Sequence, residues 1–415
     1  MKKLLLGGLV VAVAAATGAS IMSGRIFQEQ VLKLEAEVGK DPRINIVENT
    51  INKGLFTSSG SLNISMHLED GQRLIFESPW QASHLPGWVS YSGETQITLE
   101  LEGEKVIDLL EEYSMQPLRY QGTAGWNKAT TQMLIEPFWY EDALTQIELS
   151  GVDLTGEYYY SGRQTGQLVI KQGSVVKNSY SESRLELEEL VFTWDQKGEY
   201  PWVQGSAQIK ADRIYVSSAQ GEAEFSQPSF SQNLVFNPQA FDFLMTLDLG
   251  KVSNQDEEVG TSKFTLKTEQ FNGQAIADLV ELLTVNSRFE DASEEDLQSL
   301  KQAFGRLLDG SPALVLQEFN LELKSPIKFN QQAKGRLGFD GSNLPLNYLD
   351  QLEEGSLDQE DPINRIKLEL SLNKLDPGLL MMLGLPASLL NQDEDEQVLV
   401  FEAGELKLNG HLLPF

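Results

Sequence analysis

The residues that could do chemistry in this chain are few, and none stands in a recognised catalytic pattern. There are three histidines, His67, His84 and His411, and no cysteine. Protein metal sites usually need several His or Cys donors at short spacing, so these isolated histidines predict no metal site. The lack of cysteine also removes thiolate nucleophiles and disulfides. We therefore expect no catalytic residue, no metal site and no cofactor.

Serine chemistry has no better support in the sequence. A Gly-x-Ser-x-Gly nucleophile elbow does not occur, and Ser-x-x-Lys pairs occur at Ser174–Lys177, Ser325–Lys328 and Ser371–Lys374. Each pair lies in or beside a strand-like pattern, where residues three apart point to opposite faces. We interpret these pairs as chance matches, and we expect the protein not to be an enzyme.

Carboxylates are abundant but do not single out a site. The chain has 61 Asp+Glu against 32 Lys+Arg, a formal net charge of −29. Paired carboxylates can run glycosidase chemistry, but the sequence offers no means of choosing a pair. The run Asp393–Glu396 lacks the glycine of a calcium loop, so we interpret it as a solvated acidic turn. The charge argues against nucleic-acid binding, which needs a basic surface.

Aromatic residues form three clusters, at 138–140, 158–160 and 200–202. The candidates for lining a groove that binds an apolar or sugar ligand are Trp139, Tyr159 and Trp202. The alternative is that these rings fill the core of a sheet or cover its edge, which is the commoner use of aromatic side chains.

The N-terminal segment predicts where the protein is located. Lys2 and Lys3 precede an uncharged run, Leu4–Gly24, which is closed by Arg25. As a helix this run rises about 30 Å, enough to cross a bilayer core. We predict a single-pass anchor over residues 1–24, with the N-terminus cytoplasmic and the acidic bulk on the other side of the membrane. A cleaved secretory signal is the alternative.

Two further patterns bear on this anchor. Helical spacing of Phe27, Val31, Leu34 and Val38 predicts a connecting helix over residues 25–40, which favours an uncleaved anchor. Small residues at four-residue spacing predict close helix packing and a homodimer through the membrane, although a signal rich in small residues would show the same pattern. These residues are Gly8, Ala12, Ala16, Ser20 and Gly24.

The pattern of the remaining chain predicts mainly β-structure. Apolar and polar residues alternate over 62–69, 97–101, 185–187, 241–249, 319–323 and 366–372. Such a period of two predicts antiparallel strands with one apolar and one wet face. Few helices are expected: one spans Ile276–Leu283, one follows a capping box at Ser293 and Asp296 and closes at Gly310, and Leu379–Leu390 is a short apolar stretch.

The predicted fold class is therefore mainly β with a few helices, a β-rich α+β fold with long curved antiparallel sheets. A nine-residue echo between Gly103–Glu111 and Gly273–Glu281 suggests two related halves. We expect a β-rich half over 41–252, a charged linker over 253–260 and a second half, containing the helices, over 261–415.

The anchor, the segment Asn52–Ser59 and the terminal Gly404–Gly410 together resemble the YdgA-like family of uncharacterised bacterial envelope proteins. Leu55 departs from the pattern, because an aromatic residue is usual there. The resemblance implies an inner-membrane-anchored periplasmic protein of Gram-negative bacteria, and it carries over no reaction. A looser likeness links the chain to envelope proteins whose long curved sheets bind lipids in an apolar groove.

Three functions remain open on the sequence. The first is binding of lipid or another apolar envelope component in a sheet groove, without catalysis. The second is a scaffold or assembly role for envelope proteins through an exposed sheet edge or apolar patch. The third is hydrolysis of envelope polymers, which requires converging carboxylates with strongly shifted pKa values.

Overall fold

A computed structural model describes residues 44–413 apart from 54–56, 68–71, 86–87, 102–103, 113–114, 126, 142–143, 179–181, 200, 256, 286–292, 326–327, 346, 358–360 and 374–395. The predicted anchor, its small-residue stripe, the connecting helix and Leu379–Leu390 lie outside the described residues. Among the helices that are described, none combines the length and apolar character needed to cross a membrane.

The fold is mainly β, as the alternating pattern predicts, and the strand pairs are antiparallel. The strands are β1 (Ile44–Lys53), β2 (Thr57–His67), β3 (Gln72–Leu85), β4 (Trp88–Leu101), β5 (Glu104–Asp108), β6 (Leu118–Ala124), β7 (Lys128–Ile135), β8 (Phe138–Glu141), β9 (Thr145–Leu149), β10 (Val152–Tyr159), β11 (Arg163–Asn178), β12 (Glu182–Glu199), β13 (Trp202–Lys210), β14 (Arg213–Ser218), β15 (Gly221–Ser226), β16 (Ser229–Asn237), β17 (Ala240–Asn254), β18 (Glu257–Glu269), β19 (Ala313–Leu323), β20 (Phe329–Phe339), β21 (Ile366–Asn373), β22 (Glu396–Glu402), β23 (Glu405–Leu408) and β24 (His411–Leu412).

Helices are few in the described part of the chain. They are α1 (Leu109–Glu112), α2 (Gly273–Val285), α3 (Glu294–Asp309), α4 (Tyr348–Glu353) and α5 (Asp361–Asn364). Helix α3 begins as the sequence predicts. The Ser293 side chain accepts a hydrogen bond from the Asp296 backbone N–H, the Asp296 carboxylate accepts one from the Ser293 backbone, and Gly310 caps the end.

The chain divides into two compact units. Unit 1 comprises Met1–Lys197 and Ile209–Glu222, and unit 2 comprises Gly198–Gln208 and Ala223–Phe415. The segment 253–260 is not a linker between halves. It forms the tight hairpin of β17 and β18, where Ser253 pairs with Glu258 and Asn254 with Glu257. Charge and turn residues at a hairpin end resemble those of a linker, so composition alone does not separate the two.

The nine-residue echo does not mark equivalent elements. Residues Val106–Asp108 lie in strand β5, whereas Ile276–Asp278 lie in helix α2. In the first copy, the ladder with β4 pairs Leu99 with Ile107 and satisfies the backbone as a strand. Tertiary pairing therefore overrides the shared local pattern.

Unit 1 encloses a well-packed core on one face of its meander. Its buried cluster draws on strands β3 to β11 and consists of Leu74, Phe76, Ala82, Val89, Tyr91, Ile97, Leu118, Tyr120, Ala124, Ala129, Met133, Val152, Leu154 and Leu168. Two buried hydroxyls of unit 1, those of Ser78 and Thr95, are hydrogen-bonded to each other. The Ser78 and Thr95 hydroxyl oxygens lie 2.9 Å apart.

Aromatic rings in this core lie over glycines of neighbouring strands. A Cβ added at Gly122 would overlap the Tyr91 ring, and one added at Gly93 would overlap the Tyr120 ring. Trp194 covers Gly166 in the same way. Glycines that are covered by aromatic side chains let a sheet bend sharply without leaving a void. These pairs therefore shape the curved sheet of unit 1.

Candidate functional site

Unit 2 carries a row of directly paired residues across seven strands, from β17 to β23, in which every member except Gly335 has an apolar side chain. Met245 pairs with Leu266, Leu266 with Leu316, Leu316 with Gly335, Gly335 with Leu370, Leu370 with Leu399, and Leu399 with Leu408. Because directly opposite residues of an antiparallel pair point to the same face, this row forms one surface. Six strand spacings of about 4.8 Å make it roughly 29 Å long.

Two further rows flank it on the same face. Their members are two residues away along each strand, which is the period of a strand face, except on β19, where a register shift places Phe319 three residues from Leu316. One row runs Leu314, Leu337, Leu368, Phe401 and Leu406, and the other runs Phe230, Leu247, Phe264, Phe319, Ala333 and Leu372. We call the three rows together the apolar face.

The apolar face is only half-buried. Leu337 is 44% exposed, Leu247 38% and Leu314 37%, and among all three rows only Leu408 and Ala333 are buried. In unit 1, by contrast, Leu74, Phe76 and Leu118 are no more than 4% exposed. The inward strand faces therefore meet in a closed core in unit 1, whereas in unit 2 they leave large apolar side chains accessible.

A chain of aromatic rings closes one edge of the apolar face. Trp202 packs edge-on against Phe236 at 5.2 Å between ring centroids, and Phe236 packs edge-on against Phe241 at 5.3 Å. Phe241 stacks on Phe243 at 6.2 Å. Each contact has the offset or perpendicular geometry that aromatic pairs prefer. The bulky rings give this edge a fixed shape.

Two polar side chains on this face are satisfied internally, whereas the buried Gln331 on β20 has a carboxamide oxygen without a hydrogen-bond partner. Thr268 donates its hydroxyl to the Phe241 carbonyl at 3.0 Å and accepts from the Phe243 backbone N–H at 2.7 Å. Gln397, at the far end, is buried and accepts from the Asn409 side chain. Neither Thr268 nor Gln397 is left to attract water, so the face presents mostly hydrocarbon.

The other face of the same strands is polar and charged. Lys263 contacts Glu318 at 2.8 Å, and Arg336 contacts Glu269 at 3.6 Å. The hydrogen bond and charge of Glu318 raise the pKa of Lys263. This separation of chemistry between two faces follows from the period of two along each strand.

No arrangement for acid–base catalysis stands among the residues that the structure describes. Each carboxyl group with a shifted pKa there is shifted downward. The pKa of Asp340 is lowered by hydrogen bonds from Ser342 and Lys367, and the pKa of Glu258 by a hydrogen bond from Lys324. A general acid needs the opposite shift, which burial or a neighbouring carboxylate would supply.

Metal and nucleophile chemistry is likewise without a site in the described ranges. No group of three or more His, Asp or Glu side chains there converges to hold a metal ion. His67 and His411 are exposed on β2 and β24. Ser174 and Lys177 lie on β11, where residues three apart point to opposite faces.

The three predicted groove residues are divided between the two units. Trp202 lies in unit 2, at the aromatic edge of the apolar face. Trp139 is 52% exposed on β8 in unit 1. Tyr159, also in unit 1, donates its hydroxyl to Glu157 at 2.6 Å and lies under the cationic groups of Lys128 and Arg163, each 5.6 Å from its ring centroid.

Sequence reasoning missed most of the apolar face as a site. The alternating runs over 241–249, 319–323 and 366–372 mark individual strands, but not which strands become neighbours or whether their apolar sides are covered. The usable signal was the number of such runs relative to the few helices available to cover them.

A comparison with known protein families finds a match that extends over most of the chain. Residues 1–377 match the model of a family described as bacterial protein of unknown function, DUF945. The chain belongs to this family. DUF945 is the YdgA family, so the predicted family is confirmed, and Gly404–Gly410 lies outside the matched residues. No curated protein and no solved structure matches this DUF945 chain significantly.

Proposed function

We propose that this DUF945 protein binds lipid acyl chains on the apolar face of unit 2 and holds them without catalysis. The observation that carries the proposal is the apolar face, whose central row is partly exposed from Met245 to Leu399 and whose flanking rows expose Leu247, Leu314 and Leu337. Exposed apolar patches of this extent on soluble surfaces mark binding sites for apolar partners.

The dimensions and energies suit an acyl chain. One leaflet is half of a hydrocarbon core of about 30 Å, so one chain spans roughly 15 Å, which fits within the row's length of roughly 29 Å. Burying ten methylene groups contributes on the order of 8 kcal/mol before ordering costs. The face offers no charged side chain to hold a headgroup, so headgroup recognition is not part of the proposal.

The location of the protein is also a proposal. The Lys2–Arg25 pattern supports an inner-membrane anchor with the bulk of the chain in the periplasm, and the small-residue stripe from Gly8 to Gly24 supports a homodimer through that anchor. A chain tethered at a membrane surface would have lipid within reach.

Site-specific photocrosslinking in native membranes tests the proposal. A photoreactive phenylalanine derivative is placed at Leu370, on the apolar face, in the full chain. The matched control carries it at Glu369, the preceding residue of β21, which points to the polar face. We expect mass spectrometry to find lipid attached at Leu370 and not at Glu369. Equal capture at both positions, or none at Leu370, would refute acyl-chain binding.

The same experiment separates the proposal from its rivals. A scaffold that buries the apolar face against another protein would give protein adducts at Leu370 in place of lipid. Hydrolysis of an envelope polymer finds less support, because no carboxyl group of raised pKa occurs among the described residues. Nothing in the proposed function requires a cofactor.

A further inference from the structure

A polar trough lies in unit 1, on the face of its sheet opposite the buried core. Its central row crosses nine strands through directly paired residues. The members are Asn52, Ser59, Gln81, Ser92, Gln121, Gln132, Thr155, Gln167 and Thr193. Eight strand spacings of about 4.8 Å make this row roughly 38 Å long.

A parallel row lies two residues away on the same face. Its members are Thr57, Ser83, Ser90, Thr123, Thr130, Glu157, Thr165 and Asp195. The residues between the two rows, including Tyr91 and Trp194, point into or towards the core and contribute backbone to the floor. Together the two rows line an open trough of about 1490 Å³.

The trough is built from uncharged polar groups, although the chain as a whole carries a net charge of −29. Its 17 side chains from the two rows include no lysine or arginine, and only Glu157 and Asp195 are ionisable. The central row is rich in carboxamides, which both donate and accept hydrogen bonds. A ligand that carries neutral hydroxyl and amide groups can donate hydrogen bonds to these side chains and accept hydrogen bonds from them.

Both charges lie at one end of the trough and are already paired. Glu157 accepts from Lys128 at 2.5 Å and from the Tyr159 hydroxyl at 2.6 Å. Asp195 accepts two hydrogen bonds from Arg163, at 2.9 and 2.6 Å. These contacts lower the pKa of both carboxyl groups, so the end stays ionised and internally neutralised near neutral pH. It therefore provides no free cation to attract an anionic polymer.

We propose that this trough binds a neutral glycan strand, with hydroxyl and acetamido groups of successive sugars paired to the carboxamide row. The volume exceeds the range of roughly 300–1,000 Å³ that is usual for small-molecule pockets, which favours an extended ligand. The two rows carry no apolar side chain, unlike the apolar face, so this site is independent of the lipid proposal for unit 2.

Calorimetric titration of the full chain in detergent with chitohexaose, an N-acetylglucosamine oligomer, tests the inference. We expect saturable binding that tightens from the trimer to the hexamer as more strands are contacted. The double variant Gln121→Leu, Gln132→Leu removes two neighbouring central carboxamides, whose side chains lie 3.3 Å apart, and should weaken binding about tenfold or more.

The matched control is Gln196→Leu. Gln196 follows Asp195 on β12, so it points to the opposite face of the sheet and does not line the trough. The control should bind chitohexaose as the unaltered chain does, and thermal melting should show all three proteins folded. Cellohexaose, which lacks acetamido groups, should bind more weakly than chitohexaose. Absence of saturable binding, or equal affinity in the double variant and the control, would overturn the inference.

Discussion

The glycines beneath the aromatic rings of unit 1 allow a sharp test of how its sheet is shaped. Gly122 and Gly156 lie in one cross-strand row, on either side of Thr131, and each is directly paired with it. A Cβ at Gly122 would overlap the Tyr91 ring and the Thr130 carbonyl oxygen. A Cβ at Gly156 would meet only the Thr165 carbonyl oxygen, at 3.8 Å, an ordinary contact.

The two alanine variants should therefore differ strongly. In Gly122→Ala, Tyr91 must leave a buried position where its hydroxyl donates to the Thr130 carbonyl at 2.9 Å. Overpacking costs about 1–3 kcal/mol, and a hydrogen bond lost in the interior costs about 1–3 kcal/mol more. We expect about 3 kcal/mol of destabilisation. In Gly156→Ala the strand loses a flexible residue, and the free energy of unfolding should rise slightly or stay unchanged.

Thermal melting followed by tryptophan fluorescence measures the difference. For a unit of this size, 1 kcal/mol shifts the melting temperature by about 2–4 °C, so Gly122→Ala should melt roughly 6–12 °C lower. Adding Tyr91→Ala to Gly122→Ala should cost less than the sum of the single changes, because the overlap with the Tyr91 ring is then removed and only the overlap with the Thr130 carbonyl oxygen remains. Equal melting temperatures for the two alanine variants would refute the packing of Tyr91 over Gly122.

Three further outcomes follow from the same structure. Leu154→Ala, in the buried core of unit 1, should lower the free energy of unfolding by about 2–5 kcal/mol. Leu337→Ala should lower it much less, because Leu337 is 44% exposed on the apolar face. Equal losses in denaturant unfolding would mean that the apolar face is covered. The hydrogen bond from Arg163 lowers the pKa of Asp195 in the folded protein below its unfolded value of about 4. The stabilisation from this pairing is therefore fully present above about pH 4 and is lost as the pH falls through the folded pKa. The melting temperature of Asp195→Asn should accordingly fall less steeply below about pH 4 than that of the unaltered chain. Ser293→Ala should destabilise the start of α3 by about 1 kcal/mol, seen as faster hydrogen exchange at its first turn, while unchanged exchange would contradict the capping role.

Local patterns predicted the elements of this protein well where a single rule operates. Alternation at Phe241–Leu249 and Ile366–Leu372 marked strands β17 and β21, and the Ser293–Asp296 box marked the start of α3. Both rules involve residues within one element, so no distant contact is needed to apply them. The hairpin at 253–260 was misread as a linker, because its strand partners decide its structure.

The candidate sites were much less accessible from the sequence. Aromatic clustering named Trp139, Tyr159 and Trp202, and the structure distributes them over two units. The carboxamide row escaped notice, because its members come from nine separate strands and are scattered between Asn52 and Thr193. Only the register of every successive pair places them in one line.

The sequence by itself determined the strand content, the helix cap at Ser293, the acidic charge and the segment that predicts an anchor. Each is a property of composition or of residues close together in the chain. Only the tertiary structure decided which apolar strand faces close into a core and which remain accessible, and that one polar face forms a trough lined mostly by uncharged polar side chains. Burial and curvature depend on strand order, register and rings over glycines such as Gly122, which are contacts between residues far apart in the chain.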